Sequence, residues 1–253
     1  KRGVFTCGAF NGPRDIPQSV IGGSAAAASV SALLAPARHT LTRTLPPPPE
    51  LDVRRQTPRI GVFVCHCGTN IAGVVDVEEV AAYAATLPQV AHVARNLFTC
   101  AQDTQDLLVQ EIRDKGLNRI VIAACTPRTH EPLFRKTLKS AGINEYLIEM
   151  ANIRNQNAWV HNQQPEVATA KAKDLIRMAV AKVSSLTARK PLRIPIAPSV
   201  LVIGGGVAGM TAALNLAQQG FQIHLVEKTT QLGGNALHLF QTWNGEHVPR
   251  YLK

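Results

Sequence analysis

Residues 199–227 read SVLVIGGGVAGMTAALNLAQQGFQIHLVE. The apolar run Ser199–Ile203 predicts a strand, and Gly204-Gly205-Gly206-Val207-Ala208-Gly209 predicts a tight turn that opens a helix over Met210–Gln219. Gln222–Val226 predicts a second strand, ending at Glu227. In this setting each glycine has a task. Gly204 permits the turn, Gly206 leaves room for backbone to approach a pyrophosphate, and Gly209 lets the helix lie close on the strand. The helix N-terminus adds free amides and the positive end of its dipole. Glu227 stands where a carboxylate can accept hydrogen bonds from a ribose, and Leu232-Gly233-Gly234 offers a second close approach, more typical of FAD than of NAD sites. Residues 199–253 are thus expected to hold an incomplete Rossmann-like FAD-binding domain. Too few strands are present for a whole one, and no catalytic residue is assigned.

Working upstream, strands and helices keep alternating. Ile60–Val64 predicts a strand leading into Cys65-His66-Cys67-Gly68, and Asp76 predicts an N-cap with Glu79 closing a capping box. Val90–Phe98 predicts a strand before Cys100. An amphipathic helix then runs through Lys115 with Gly116 as its stop, and Arg119–Ala124 predicts a strand before Cys125. A helix is expected over Pro132–Ala141, a strand over Tyr146–Met150, and a long helix over 165–188. The fold class is α/β, a doubly wound parallel-sheet domain followed by the start of the FAD-binding domain. Expected boundaries are a cysteine domain over 59–164, a bridging helix over 165–198 and the flavin segment over 199–253.

Cys65, Cys100 and Cys125 each fall at a predicted strand's carboxyl end, and Cys67 follows just beyond. Those ends share one edge of an open parallel sheet, so thiols remote in sequence can meet there. Four converging thiolates suit a [4Fe–4S] cluster or tetrahedral zinc, and small buried core residues are the plain alternative. His66, His130 and His161 are further candidate ligands or proton donors, and Arg128 with His130 lies in the expected loop after Cys125.

Residues 1–36 predict a short apolar strand ending near Cys7, a Gly-Pro-Asp turn and an Ala-rich helix. Residues 37–58, with a four-proline run, predict an extended linker. The 253 residues carry 27 Lys and Arg against 17 Asp and Glu, a net charge of +10 spread along the chain. No clustered basic stripe or nucleic-acid motif is present, so nucleic acid is not an expected partner. No uninterrupted apolar run reaches the roughly 18 residues of a membrane span, and no membrane span is expected. Five cysteines without a leader fit a reducing, cytoplasmic setting. The Lys1 start and the stop soon after a cofactor motif suggest a piece of a longer polypeptide.

RIGVFVCHCGTNIAGVVDVEEV, Phe98-Thr99-Cys100, VIAACTPRTHEPLFR and EMANIRNQNAWVH resemble the amino-terminal domain of the heterodisulfide reductase A-subunit family. SVLVIGGGVAGMTAALNLAQQG and LVEKTTQLGGNA resemble the start of that family's thioredoxin-reductase-like flavin domain. The resemblance covers roughly residues 59–253. It implies a cytoplasmic iron–sulfur flavoprotein that moves electrons between FAD and iron–sulfur clusters toward a disulfide-reducing partner. Implied partners are the other subunits of the complex and ferredoxin or a hydrogenase or dehydrogenase donor. It implies cluster ligation by Cys65, Cys67, Cys100 and Cys125, and FAD contacts by Gly204, Gly206, Gly209, Glu227, Gly233 and Gly234. Asn157 stands where family members often carry a cysteine. Residues 1–36 resemble the closing FAD segment of the same superfamily, with Gly8, Ala9 and Gly12 facing the flavin, here a detached end of an upstream module, as in an internal slice of a protein with tandem flavin modules. The rival readings are a zinc–thiolate scaffold domain and a simple FAD-dependent disulfide reductase using Cys65 and Cys67.

Overall fold

Two six-residue runs, Ile60–Cys65 and Arg119–Ala124, are buried at every position, the signature of strands covered on both faces. In the computed structural model, which describes residues 3–43 and 46–250, they are the centre of a four-stranded sheet. Residues 1–2, linker positions 44–45 and 251–253 lie outside the described residues.

In chain order the elements are α1 (Ile16–Leu34), β1 (Ile60–Cys65), α2 (Thr69–Ala72), α3 (Val77–Ala85), β2 (Val90–Asn96), α4 (Gln102–Asp114) and β3 (Arg119–Ala124). They continue as α5 (Pro127–Ala141), β4 (Ile148–Asn152), α6 (Pro165–Ser184), β5 (Ser199–Ile203), α7 (Val207–Gln218) and β6 (Gln222–Val226). The chain divides into two compact units, Leu45–Leu192 and Lys1–Thr44 with Arg193–Lys253.

In the first of these, the strands run parallel in the order β2-β1-β3-β4. Helix α3 packs with α6 and α4 with α5, and right-handed crossovers put the two pairs on opposite faces. The order reverses between β1 and β3, and such a switch point opens a crevice at the strands' carboxyl ends. Phe63, fully buried on the central strand, meets His92 edge-on with centroids 6.0 Å apart. Phe63→Ala should lower stability by about 3–5 kcal/mol. The check is a fall in the urea midpoint at unchanged m-value.

The structure departs from the sequence expectations at definite places. Helix α5 begins at Pro127, with Pro132 inside it rather than at its start. Pro127 takes the first helical position, where a missing N–H costs nothing. Glu79 makes no capping box with Asp76; it pairs with Lys173 Nζ at 2.5 Å, while Asp76 Oδ1 alone caps the Glu78 and Glu79 amides. Helix α6 buries Ala168, Ala172, Ile176, Ala179, Val180 and Val183 and belongs to the first unit's core. The end of the expected linker also packs there, with Val53 buried and the Leu51 amide on the Gly142 carbonyl at 2.8 Å.

In the other unit, the expected strand near Cys7 is replaced by a 3-10 turn, Gly8–Asn11, and no strand pairs with it among the described residues. Asp15 and Gln18 form a reciprocal capping box that starts α1, and α1 rests against α7. Ile16–Ala37 is long and apolar enough to cross a membrane by length and composition. That qualifies the expectation above, because Pro17, Gln18 and the glycines and serines break an uninterrupted apolar run yet leave the mean hydropathy of the helix high. Strands β5 and β6 pair in parallel, both alternating exposed and half-buried positions.

Candidate thiol and flavin sites

Cys65 ends β1, Cys125 directly follows β3, and Cys100 lies in the turn between β2 and α4. All are thus at the carboxyl edge of the sheet. The strand before Cys100 ends at Asn96, so Cys100 sits in a turn rather than at the expected strand end. Cys65 and Cys125 are buried, Cys67 is half-buried, Cys100 is exposed, and all are free thiols.

The loop past β1 carries the second of these thiols. Cys67 has φ +51, a left-handed backbone unusual for a side-chain-bearing residue, and Gly68 follows at φ +55. Holding a non-glycine there costs on the order of 1–3 kcal/mol and persists only where surroundings enforce it. Here the His66 carbonyl accepts from the Ile71 and Ala72 amides, and the Cys67 carbonyl from the Asn70 amide, fixing the turn. Opposite, Thr99 is fully buried; its amide donates to Cys65 Sγ at 3.4 Å and its carbonyl accepts from the Gln105 side chain.

Two of the thiols, Cys100 and Cys125, feel their neighbours. Desolvation and then the charges of Cys65 and Cys67 push the Cys100 thiol up, although the residue as a whole is exposed. Desolvation, then Cys100 and Cys67, push Cys125 up, and Arg154 opposes the rise at both. At neutral pH these two thiols hold their protons, and ligating a metal must release them. Among the described residues, no three His, Cys, Asp or Glu side chains are gathered closely enough to hold a single metal ion.

Arg154, which the sequence reading did not single out, is a cation at this edge. Its Nη1 donates to Cys67 Sγ at 3.2 Å. The available signal was its place just past β4, at the same edge as the cysteines. Arg128 and His130, expected in a loop, are instead in the first turns of α5. His66 is half-buried, with no partner for its Nε2 among the described residues, and His161 Nε2 faces Lys171 Nζ at 3.2 Å. Asn157 is fully buried and its Nδ2 donates to the Ala168 carbonyl at 2.8 Å, tying it to α6. Cys7 precedes the 3-10 turn in the other unit.

The glycine turn of the other unit has the expected parts. Gly204 has φ +103, and its amide donates to the Val226 carbonyl at 2.7 Å. A Cβ on Gly209 would lie 1.9 Å from the Gly204 carbonyl oxygen, so the helix approaches the turn too closely for any side chain. Gly206, in ordinary extended backbone, caps α7 with no side chain over the helix amides. A Cβ there would meet only Gly234 Cα at 4.0 Å, leaving an open cradle that fits a phosphate. Gly233 bridges to Gly206, and its amide donates to the Gly205 carbonyl at 2.7 Å. Glu227 Oε2 accepts from the Gly205 amide at 2.6 Å and Oε1 from the Thr229 amide at 3.0 Å. These bonds, Gly205's first, hold its carboxyl below the usual glutamate range. Glu227 therefore braces the turn before any ribose is considered.

Known proteins resemble most of the chain. Over 188 residues, 74% of the chain, 50% of positions are identical in a protein of Archaeoglobus profundus described as similar to the A subunit of heterodisulfide reductase. The matched segment belongs to the heterodisulfide reductase A-subunit family. The same length and share match, at 50%, the second iron–sulfur A subunit of CoB–CoM heterodisulfide reductase from Methanopyrus kandleri. At 48% they match the A subunit of the H2:CoB-CoM heterodisulfide,ferredoxin reductase of Methanothermobacter thermautotrophicus. The chain covers 27%, 29% and 28% of these three relatives, little more than a quarter of their length. Residues 199–242 match the FAD binding domain family, so FAD rather than a nicotinamide dinucleotide is the cofactor that goes with the glycine turn.

Proposed function

We propose that the chain is part of an electron-transfer oxidoreductase of heterodisulfide-reductase type. In this reading it passes electrons between FAD and a [4Fe–4S] cluster toward a disulfide-reducing partner. One observation carries it: Cys65, Cys67, Cys100 and Cys125 lie at one edge of a parallel sheet, and Cys100 and Cys125 there feel the charges of their neighbours. The relative from Methanopyrus kandleri, named for iron and sulfur, supports the same reading. When bound, FAD supplies a two-electron carrier and the cluster a one-electron carrier.

The chain's own residues do the rest. The four cysteines offer thiolates, Gly68 permits the turn that brings Cys67 alongside Cys65, and the Thr99 amide donates to a ligand sulfur. Around the flavin, Gly206, Gly233 and Gly234 leave the backbone bare, α7 presents its amides, and Glu227 holds the Gly205 loop while keeping lone pairs free for a ribose. Residues 3–36 act as a closing segment that packs back on this flavin unit rather than on an upstream module, a role supported by their grouping with Arg193–Lys253 and the contact of α1 with α7. The other subunits of such a complex, and ferredoxin or a hydrogenase or dehydrogenase donor, are the proposed partners. The relative named for ferredoxin supports the former donor, and a cytoplasmic location belongs to the same proposal.

The zinc reading makes a different demand. Four sulfurs around one zinc stand about 3.8 Å apart, given Zn–S bonds near 2.3 Å. A cube of irons and sulfides spaces its ligands more widely than that. Anaerobically prepared protein should contain about four irons and about four acid-labile sulfides per chain, as a cluster held by four thiolates requires. One zinc without labile sulfide would overturn the proposal in favour of the scaffold reading.

A further inference from the structure

We propose that Arg154 is the charge-balancing residue of the thiol site: it holds Cys67 in place and raises the reduction potential of the cluster bound there. This inference rests on the iron–sulfur reading above.

Arg154 opens the π-helical turn Arg154–Ala158 directly after β4. Its guanidinium donates to Cys67 Sγ at 3.2 Å, and its Nε donates to Asn155 Oδ1 at 3.2 Å. The guanidinium also lies 4.8 Å from the centroid of the Trp159 ring, within cation–π range. Trp159 Nε1 in turn donates to Asn70 Oδ1 at 3.3 Å, and Asn70 Nδ2 donates to the Cys67 carbonyl at 3.3 Å. Cys67, Arg154, Trp159 and Asn70 thus close a ring around the left-handed residue. No carboxylate pairs with Arg154 among the described residues. The acceptor that its Nη1 meets is the Cys67 sulfur, and its charge also reaches Cys100 and Cys125.

Reduction adds one electron, and so one negative charge, to the cluster and its four thiolates. A fixed cation beside a ligand sulfur stabilises the reduced state more than the oxidised one, so its removal must make reduction harder. Charge placement and hydrogen bonds to the sulfurs are among the levers that set such potentials. The planar fork and the stacking on Trp159 suit arginine, whereas lysine would keep the charge without the fork.

The test uses the whole chain, prepared anaerobically as parent, Arg154→Lys and Arg154→Met. Iron and sulfide are counted first. Each cluster is then titrated with dithionite through redox mediators and followed by electron paramagnetic resonance. In Arg154→Met the equilibrium constant for reduction should fall about tenfold, a shift of about 59 mV to lower potential for a one-electron couple. Arg154→Lys should lie nearer the parent. Loss of iron in the Met variant alone, with Lys loading normally, also supports the proposal, because charge is then what the site needs. Equal potentials in parent and Met variant overturn it. So does a Lys variant that falls as far as the Met variant, or loss of iron in both, since shape rather than charge would then decide. A parent chain that binds no iron defeats the cluster reading itself, an outcome distinct from all of these.

Discussion

Cys100→Ser protein, prepared anaerobically, should hold fewer than about one iron per chain where the parent holds about four, with its far-UV circular dichroism unchanged. The size of this effect follows from ligand count: a cluster with four protein thiolates that loses one has an open iron, exposed to water and to oxidative loss. Separating iron loss from unfolding follows from where the sulfur sits. Cys100 is exposed and stands outside the apolar core, in the turn that leads to α4. Cys65 is 4% exposed and part of the core cluster, so its substitution would mix a packing defect with ligand loss. Full iron occupancy in the Cys100→Ser protein would remove Cys100 from the ligand set. Together with a normal unfolding midpoint, it would leave the remaining thiols to be tested for a three-sulfur site.

How much of this could be read from the sequence depended on whether a feature is set locally or by packing. Arg119–Ala124, Ser199–Ile203 and Gln222–Val226 coincide with the observed strands, because a short apolar run bounded by turn residues has few other places to go. The cysteines' shared edge was legible for the same reason: parallel strands put their carboxyl ends together whatever the intervening helices do. Features that depend on a distant partner were not legible. Glu79 looked like a capping residue until Lys173, on α6, drew it away. The helix over 165–188 looked like a bridge because its alanines carry little amphipathic signal, yet Ala168, Ala172 and Ala179 are small enough for it to lie flat on the sheet. The run ending near Cys7 looked like a strand, but a strand needs a neighbour, and the left-handed Gly8 turns the chain first. Arg154 was hidden because nothing nearby in sequence says that its side chain reaches back 87 residues to Cys67.

Gly209→Ala should all but abolish flavin retention, whereas Gly206→Ala should leave the turn intact and weaken FAD binding through the ligand alone. The two glycines look alike in sequence and differ sharply in space. The added carbon at Gly209 would sit 1.9 Å from the Gly204 carbonyl oxygen and 3.1 Å from its carbonyl carbon, both backbone atoms that no rotamer change can move. Overpacking in a relaxed core costs about 1–3 kcal/mol, and a backbone obstruction belongs at or above the upper end. With a factor of ten for each 1.4 kcal/mol or so, the turn that cradles the phosphates would form its binding geometry about a hundredfold less often. At Gly206 the added carbon would meet only Gly234 Cα, at 4.0 Å, and the backbone angles are open to any residue. Its cost arises only when a pyrophosphate comes to occupy the same space. Bound FAD measured by absorbance after gel filtration, together with thermal unfolding of the flavin-free proteins, separates the two. Gly209→Ala should lose flavin and unfold earlier, whereas Gly206→Ala should lose flavin and unfold with the parent. If Gly209→Ala kept its flavin, the close approach of α7 to the glycine turn would not be what shapes the site.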